Sequence, residues 1–148
     1  MEKIILKGRK VVGGVVEGEA LVSYDPLVWS HGIDPATGKI DDVRVALNGT
    51  RVTDKILIYP YGKGSTSTST WMLETFRCNN GPKAILNIET EGLIAVGSIL
   101  ARKLYGSVAP VVDRFDHNIM DIVETGDCVK VDGDRGIVEI TKKRLTTG

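Results

Sequence analysis

The chain is 148 residues long, and 19 Lys and Arg balance 19 Asp and Glu, so its formal net charge is zero. That length suits one domain, residues 1–148, with a real core, and the balanced charge argues against a nucleic-acid surface, which normally shows a basic face. No apolar run approaches the ~20 residues of a membrane span, and the opening MEKIILKGRK lacks the apolar segment and cleavage site of a secretory signal, so the expected setting is cytoplasmic, with no nucleic acid and no membrane among the partners.

In chain order, Lys10 to Val12 and Glu19 to Ser23 read as strands, separated by the Gly13–Gly14 pair. The stretch YDPLVWSHGIDPATGKID is a long loop, because Pro26, Gly32, Pro35 and Gly38 forbid a regular element. Loops of this length inside a compact domain tend to carry function. KILIY, Lys55 to Tyr59, is a continuous apolar strand stopped by Pro60. After a run of hydroxyl residues, WMLETFRCNN reads as a helix with Met72 and Phe76 on one face and a stop at Gly81 and Pro82. Lys83 to Ile88 is a second apolar strand. TEGLIAVGSILARKLYG is a second helix, with Thr90 as N-cap, Glu91 in the first turn, a stripe of Leu93, Val96, Leu100 and Leu104, and Gly106 as C-cap. Ala109 to Val112 closes a βαβαβ unit over residues 55–112, whose three strands are expected to be parallel and buried. CVKVDGDRGIVEI alternates apolar and polar residues about a turn and predicts a hairpin. Lys142, Lys143 and Arg144 read as a solvated tail. The fold class is α/β, a β-rich framework around a βαβαβ core.

The two cysteines, Cys78 and Cys128, lie far apart and in no metal-binding spacing. They are expected to be free, mostly buried thiols, and a structural zinc or an iron–sulfur cluster needs more clustered ligands than the chain supplies.

The segment YGKGSTSTST places six consecutive hydroxyl residues, Ser65 to Thr70, after a Gly-Lys-Gly turn. A Walker A loop is excluded, because residue 57 is Leu and residue 64 is Gly. Helix capping by Ser65 or Thr66 accounts for one hydroxyl and leaves the others unexplained, since short hydroxyl side chains disfavour helix interiors. A third reading is a site. A turn leaving the C-terminal end of a parallel strand and opening a helix gathers backbone N–H groups and partial positive charge. Gly62, Lys63, Gly64, Ser65, Thr66, Ser67 and Ser69 are the candidate residues, and an anion is the expected guest: a carboxylate, a phosphate or a serine alkoxide. Lys63 reads as an anion-binding residue rather than a nucleophile. A helix terminus is worth about 0.3–1 kcal/mol, up to ~2 when partly buried, against about 1.36 kcal/mol per pKa unit. The dipole alone therefore lowers a hydroxyl pKa by roughly one unit, too little to make serine a base near neutrality. A base at Ser65 needs more positive charge, from Lys63, a metal or another subunit.

Three segments, VVEGEALVSYDPLVWSHGIDPATGKI, KILIYPYGKGSTSTS and GSILARKLYGSVAPVV, resemble in order the motifs of the aconitase X swivelling domain, across residues ~9–135. The resemblance implies a swivelling β/β/α domain and the small subunit of a heterodimeric hydro-lyase. One branch of the family dehydrates (R)-5-phosphomevalonate to trans-anhydromevalonate 5-phosphate in a modified mevalonate pathway, and another dehydrates cis-3-hydroxy-L-proline. It further implies a large subunit carrying a [4Fe-4S] cluster or mononuclear iron, no cofactor bound by this chain alone, and a catalytic serine base at Ser65. The amides of Gly64 to Thr66 would then stabilise developing charge, while Ser67 and Ser69 would hydrogen-bond the hydroxy acid substrate or the large subunit's loops. Phosphomevalonate ranks first as substrate because free-standing small subunits are typical of that branch, although ARKLYG before APVV resembles the hydroxyproline branch. A non-catalytic module binding an anion or partner is the rival class.

Where that family has a Pro-Leu-Ser-Phe-Trp-Gly-Gly-like segment, this chain reads PLVWSHG, departing at Trp29, Ser30 and His31. A loop histidine with no visible partner is expected to be exposed, with a second acid/base at His31 the sharper alternative. Asp34 reads as a turn residue, His117 as surface, and Trp71 and Met72 as core or interface packing.

Overall fold

The structure, a computed structural model, describes residues 2–63 and 65–143. The amide of Gly64 and the tail residue Arg144 lie outside those residues. The strands are Lys3–Lys7 (β1), Arg9–Val12 (β2), Val15–Val22 (β3), Ile56–Tyr59 (β4), Ala84–Asn87 (β5), Val111–Asp113 (β6), Cys128–Asp132 (β7) and Ile137–Thr141 (β8), with helices Thr68–Arg77 (α1) and Gly92–Tyr105 (α2). They form one eight-stranded mixed sheet in the order β1-β8-β7-β3-β4-β5-β6-β2. The βαβαβ unit is present, with β4, β5 and β6 parallel, and β3 adds a fourth parallel strand beside β4.

These strands read as unbroken apolar runs because both faces are covered. In β4 the pleat sends Leu57 and Tyr59 into a core shared with the helices and the long loop, and Ile56 and Ile58 into a second core. The second core is closed by β1, β7 and β8, whose Leu6, Val129, Val131, Val138 and Ile140 point inward. In β7 Cys128 and Lys130 face outward, so that hairpin alternates as expected, with Asp132 paired to Ile137 at its turn. The sequence reading assigns no strand to residues 3–7. β1 arises because Leu6 is buried there and the backbone pairs with β8 at the far end of the chain.

The helices depart from the sequence reading at three points. First, α1 starts at Thr68, inside the hydroxyl run, and ends at Cys78 with Asn79 left-handed at φ 60°, not at Gly81. Gly81 serves a different need: a Cβ there would sit 2.3 Å from the Phe76 ring. Second, the N-cap of α2 is Glu91, not Thr90. Thr90 is otherwise engaged: its amide donates to Asp113 Oδ2 at 2.7 Å and its hydroxyl to Asn87 Oδ1 at 3.1 Å. Gly106 takes the left-handed C-cap expected of it, at φ 69°. Third, α2 buries Ile94, Gly97, Ser98 and Ala101, while Val96 and Leu104 of the expected stripe are 44% and 61% exposed. The helix is apolar nearly all round, so hydrophobicity does not choose its inner face. Size does: α1 packs so closely that a Cβ on Gly97 would lie 2.8 Å from Met72 Sδ.

An ion pair between the buried Asp113 and the exposed Arg9 ties the second helix's lead-in to the sheet edge. The fully buried Asp113 accepts two hydrogen bonds from Arg9, at 2.9 and 2.8 Å, besides the Thr90 amide. Burial pushes the Asp113 carboxyl up, but the Arg9 and Thr90 hydrogen bonds outweigh it and hold the group below the usual carboxylate range.

Two outcomes follow from this packing. Gly97→Val is expected to destabilise the chain by about 1–3 kcal/mol through overpacking, measured by urea unfolding; an unchanged midpoint would refute the close α1–α2 contact. A depressed folded-state pKa contributes stability above the unfolded value of about 3.9, and that stability is lost as pH falls through the folded value. Asp113→Asn should therefore melt well below the parent chain at pH 7, with the gap closing in strong acid. An equal gap at both pH values would show that the loss is steric.

Candidate functional site

The site is assembled where β4 ends. Past Pro60 the chain runs through Tyr61, Gly62 and Lys63, and this segment pairs with the long loop: Leu27 and Gly62 form a parallel bridge, and the Lys63 amide donates to the Leu27 carbonyl at 3.0 Å. The loop is anchored two residues further on. Trp29 and Tyr59 are fully buried, and the indole N–H of Trp29 donates to the Tyr59 hydroxyl at 3.1 Å. Burial pushes the Tyr59 phenol up to about 12, against the pull of the Trp29 hydrogen bond. Tyr59 is therefore a neutral anchor at physiological pH rather than an acid.

The six hydroxyls divide into separate tasks. Ser65 is half-buried ahead of α1; its Oγ accepts the Ser67 amide at 3.4 Å and lies 3.1 Å from Ser67 Oγ. Ser67 is the N-cap residue, yet its side chain makes no capping bond. Its Oγ instead lies 2.5 Å from Ser30 Oγ. Thr66 is exposed. Thr68 is buried with its hydroxyl unpartnered, and Thr70 donates to the Ser67 carbonyl at 2.9 Å. Ser69 has a structural bond that the sequence does not announce: its hydroxyl donates to the Leu93 carbonyl at 2.7 Å and pins α1 to α2. Capping by Ser65 or Thr66 is replaced by a turn in which the Thr68 amide donates to the Ser65 carbonyl at 3.1 Å.

Gly62 and Lys63 flank this centre. Lys63 is exposed, and its charge helps, after the Arg44 hydrogen bonds, to hold the Asp42 carboxyl below its ordinary range. Behind Gly62 stands Glu91, whose Oε2 is buried without a hydrogen-bond partner and would lie 2.5 Å from a Cβ at residue 62. Burial pushes this carboxyl up. The sequence reading took Glu91 for a first-turn charge. Its closeness to Gly62 is tertiary and leaves no local signal.

His31 is exposed, as expected of a loop histidine, but it has partners. Its Nδ1 lies 3.1 Å from Ser30 Oγ, and its ring lies over Trp71 with centroids 4.4 Å apart. Trp71 is fixed in turn by donating its N–H to the Ile33 carbonyl at 2.5 Å. His31 also holds a left-handed backbone at φ 63°, uncommon for a residue with a side chain. Ser30 carried no role in the sequence reading, and the histidine beside it in a divergent loop was the only hint. Asp34 is a turn residue as expected, accepting from the Ala36 amide at 3.0 Å and the Thr37 hydroxyl at 3.1 Å.

Among the described residues, no three of His, Cys, Asp and Glu gather into a set able to hold a metal. Cys78 is half-buried and Cys128 exposed, which corrects the expectation of mostly buried thiols. No helix of the described residues is long and apolar enough to cross a membrane.

Comparison with known proteins accords with this architecture. A family model for the aconitase X swivel domain matches residues 5–140. A phosphomevalonate dehydratase small subunit of Pyrococcus furiosus is 43% identical over 135 residues, covering 91% of this chain and 94% of that protein. The corresponding subunit of Methanosarcina acetivorans is 37% identical over 144 residues, covering 97% and 96%. The crystal structure of Thermococcus kodakaraensis aconitase X in its holo-form superposes with a TM-score of 0.84 at 40% identity, over 94% of this chain and 99% of that one. On sequence and fold together, the chain belongs to the aconitase X swivel-domain family.

Proposed function

We propose that this chain is the small subunit of a cytoplasmic hydro-lyase that dehydrates (R)-5-phosphomevalonate to trans-anhydromevalonate 5-phosphate, acting as a single swivel domain on a larger subunit. The substrate rests on relatives of that name at 37–43% identity across more than nine-tenths of this chain. The catalytic role rests on one observation: Ser65 stands half-buried at the mouth of α1, with its hydroxyl joined to that of Ser67.

Dehydration of a 3-hydroxy acid removes a proton from the carbon next to the carboxylate and expels the hydroxyl from the neighbouring carbon. Ser65 Oγ is the group that takes the proton. The positive end of α1 and the exposed Lys63 favour the negative charge that develops. Gly62 keeps the turn narrow against Glu91, and Thr66 offers a further hydroxyl at the rim. Lewis-acid help for the departing hydroxyl is the chemistry that an iron centre of the large subunit, a [4Fe-4S] cluster or mononuclear iron, supplies when bound. The cysteines of this chain do not fit such a group.

The test is co-expression with the large subunit under anaerobic conditions, assayed on phosphomevalonate and, as control, on cis-3-hydroxy-L-proline. Turnover is expected on phosphomevalonate alone; turnover on the proline only would reassign the substrate. Ser65→Ala should assemble normally and lose kcat by roughly 10²–10⁴-fold. Near-parental turnover would remove Ser65 from the mechanism.

A further inference from the structure

We propose that His31 is the terminus of a proton relay that runs from Ser65 through Ser67 and Ser30, so that an imidazole, and not a free serine alkoxide, is the ultimate base. The proposal rests on the assignment of Ser65 as the group facing the substrate.

The need for it is energetic. A serine hydroxyl is far too weakly acidic to lose its proton near neutrality, and a helix terminus shifts it by roughly one pKa unit. An imidazole, by contrast, is the side chain that accepts and releases protons in the physiological range. The structure joins the two. Ser65 Oγ lies 3.1 Å from Ser67 Oγ, Ser67 Oγ lies 2.5 Å from Ser30 Oγ, and Ser30 Oγ lies 3.1 Å from His31 Nδ1. A hydroxyl donates one hydrogen bond and accepts others, so the three can be aligned head to tail, each donating to the next and the last donating to Nδ1. This alignment requires the imidazole to carry its proton on Nε2.

Three features separate such a relay from incidental contacts. Ser67 occupies the N-cap position but makes no capping bond, its hydroxyl being directed to Ser30 and Ser65 instead. Ser30 is 6% exposed and Ser67 half-buried, so the links of the chain are partly withdrawn from bulk water, while His31 at its end is exposed. The histidine is also held in place: its ring rests on Trp71, and its backbone sits at φ 63°. Strain of this kind persists only where the surroundings enforce it, and it gathers at functional sites.

In the forward step the substrate C–H bond breaks and its electron pair forms the new C=C bond. The proton joins Ser65 Oγ as Ser65 passes its own proton to Ser67, Ser67 passes its proton to Ser30, and Ser30 passes its proton to His31 Nδ1. The C–O bond breaks with its pair on the leaving oxygen. One proton gained by the imidazole and one hydroxide released make up the water eliminated. The imidazolium then gives its proton to solvent, and the hydroxyls rotate back.

The experiment uses the assembled enzyme with four small-subunit variants. His31→Asn removes the base while keeping a residue that tolerates left-handed backbone. Ser30→Ala cuts the relay, Ser30→Thr retains a hydroxyl, and Ser65→Ala removes the group next to substrate. His31→Asn and Ser30→Ala are expected to lose kcat roughly 10²-fold, with KM little changed. Added imidazole should restore His31→Asn but not Ser30→Ala, and Ser30→Thr should recover much of the rate. Parental kcat in His31→Asn, a loss carried by KM, or a loss that imidazole does not restore would each overturn the relay. If Ser65→Ala is inactive while His31→Asn and Ser30→Ala turn over normally, the relay falls and the serine base stands. If Ser65→Ala is active, both fall.

Discussion

A hydrogen bond between two fully buried aromatic residues anchors the long loop beneath the site. Trp29 and Tyr59 are 30 residues apart in the chain, one in a long irregular loop and the other at the last position of a central strand. Neither polar group has water to fall back on, and leaving such a group unpaired costs about 1–3 kcal/mol. The bond therefore holds the loop in one register against the end of β4. Leu27 then pairs with Gly62, and Ser30, the residue after Trp29, is delivered to Ser67 at the start of α1. The candidate site is in this sense an outgrowth of the core: its outer groups are loop residues, and their spacing is inherited from a buried indole and phenol.

The same economy explains the run of hydroxyls. Ser69 fastens α1 to α2 through the Leu93 carbonyl, and Thr70 closes the first turn onto Ser67. Those two stabilise the helix that Ser65 and Ser67 introduce, leaving the latter pair free to bond each other and the loop. Gly97 lets α2 approach closely along the same seam, against Met72. One short stretch thus serves packing through the residues inside α1 and the link to the long loop through the residues ahead of it.

Much of the architecture was legible in the sequence because it is written locally. β4, β5 and β6 announce themselves as apolar runs between glycines and prolines, the terminal hairpin by its alternation, and the end of α2 by Gly106. What was hidden depends on neighbours distant in the chain. The inner face of α2 differs from the expected stripe because the helix is apolar on several sides and the close approach of α1 turns Gly97, Ser98 and Ala101 inward beside Ile94. The cap of α2 was misplaced because Asp113, 23 residues on, claims the Thr90 amide. Of the candidate site, the position of Ser65 followed from the Gly-Lys-Gly turn, whereas the link from Ser67 to Ser30 spans 37 residues and carries no periodic signal. Residue type narrowed the candidates, and only the folded path decided which hydroxyls meet.

The placing of β1 and β2 at opposite edges of the sheet, joined through Gly8 alone, has a consequence for how the molecule comes into being. Lys3 aligns with Thr141 and Arg9 with Asp113, so each of these two neighbouring strands pairs with a segment far away in the sequence. Contacts so distant in sequence are slow to form. Until they close, the apolar β1 has nothing to cover it, and the nascent chain carries an open edge that invites pairing with other chains.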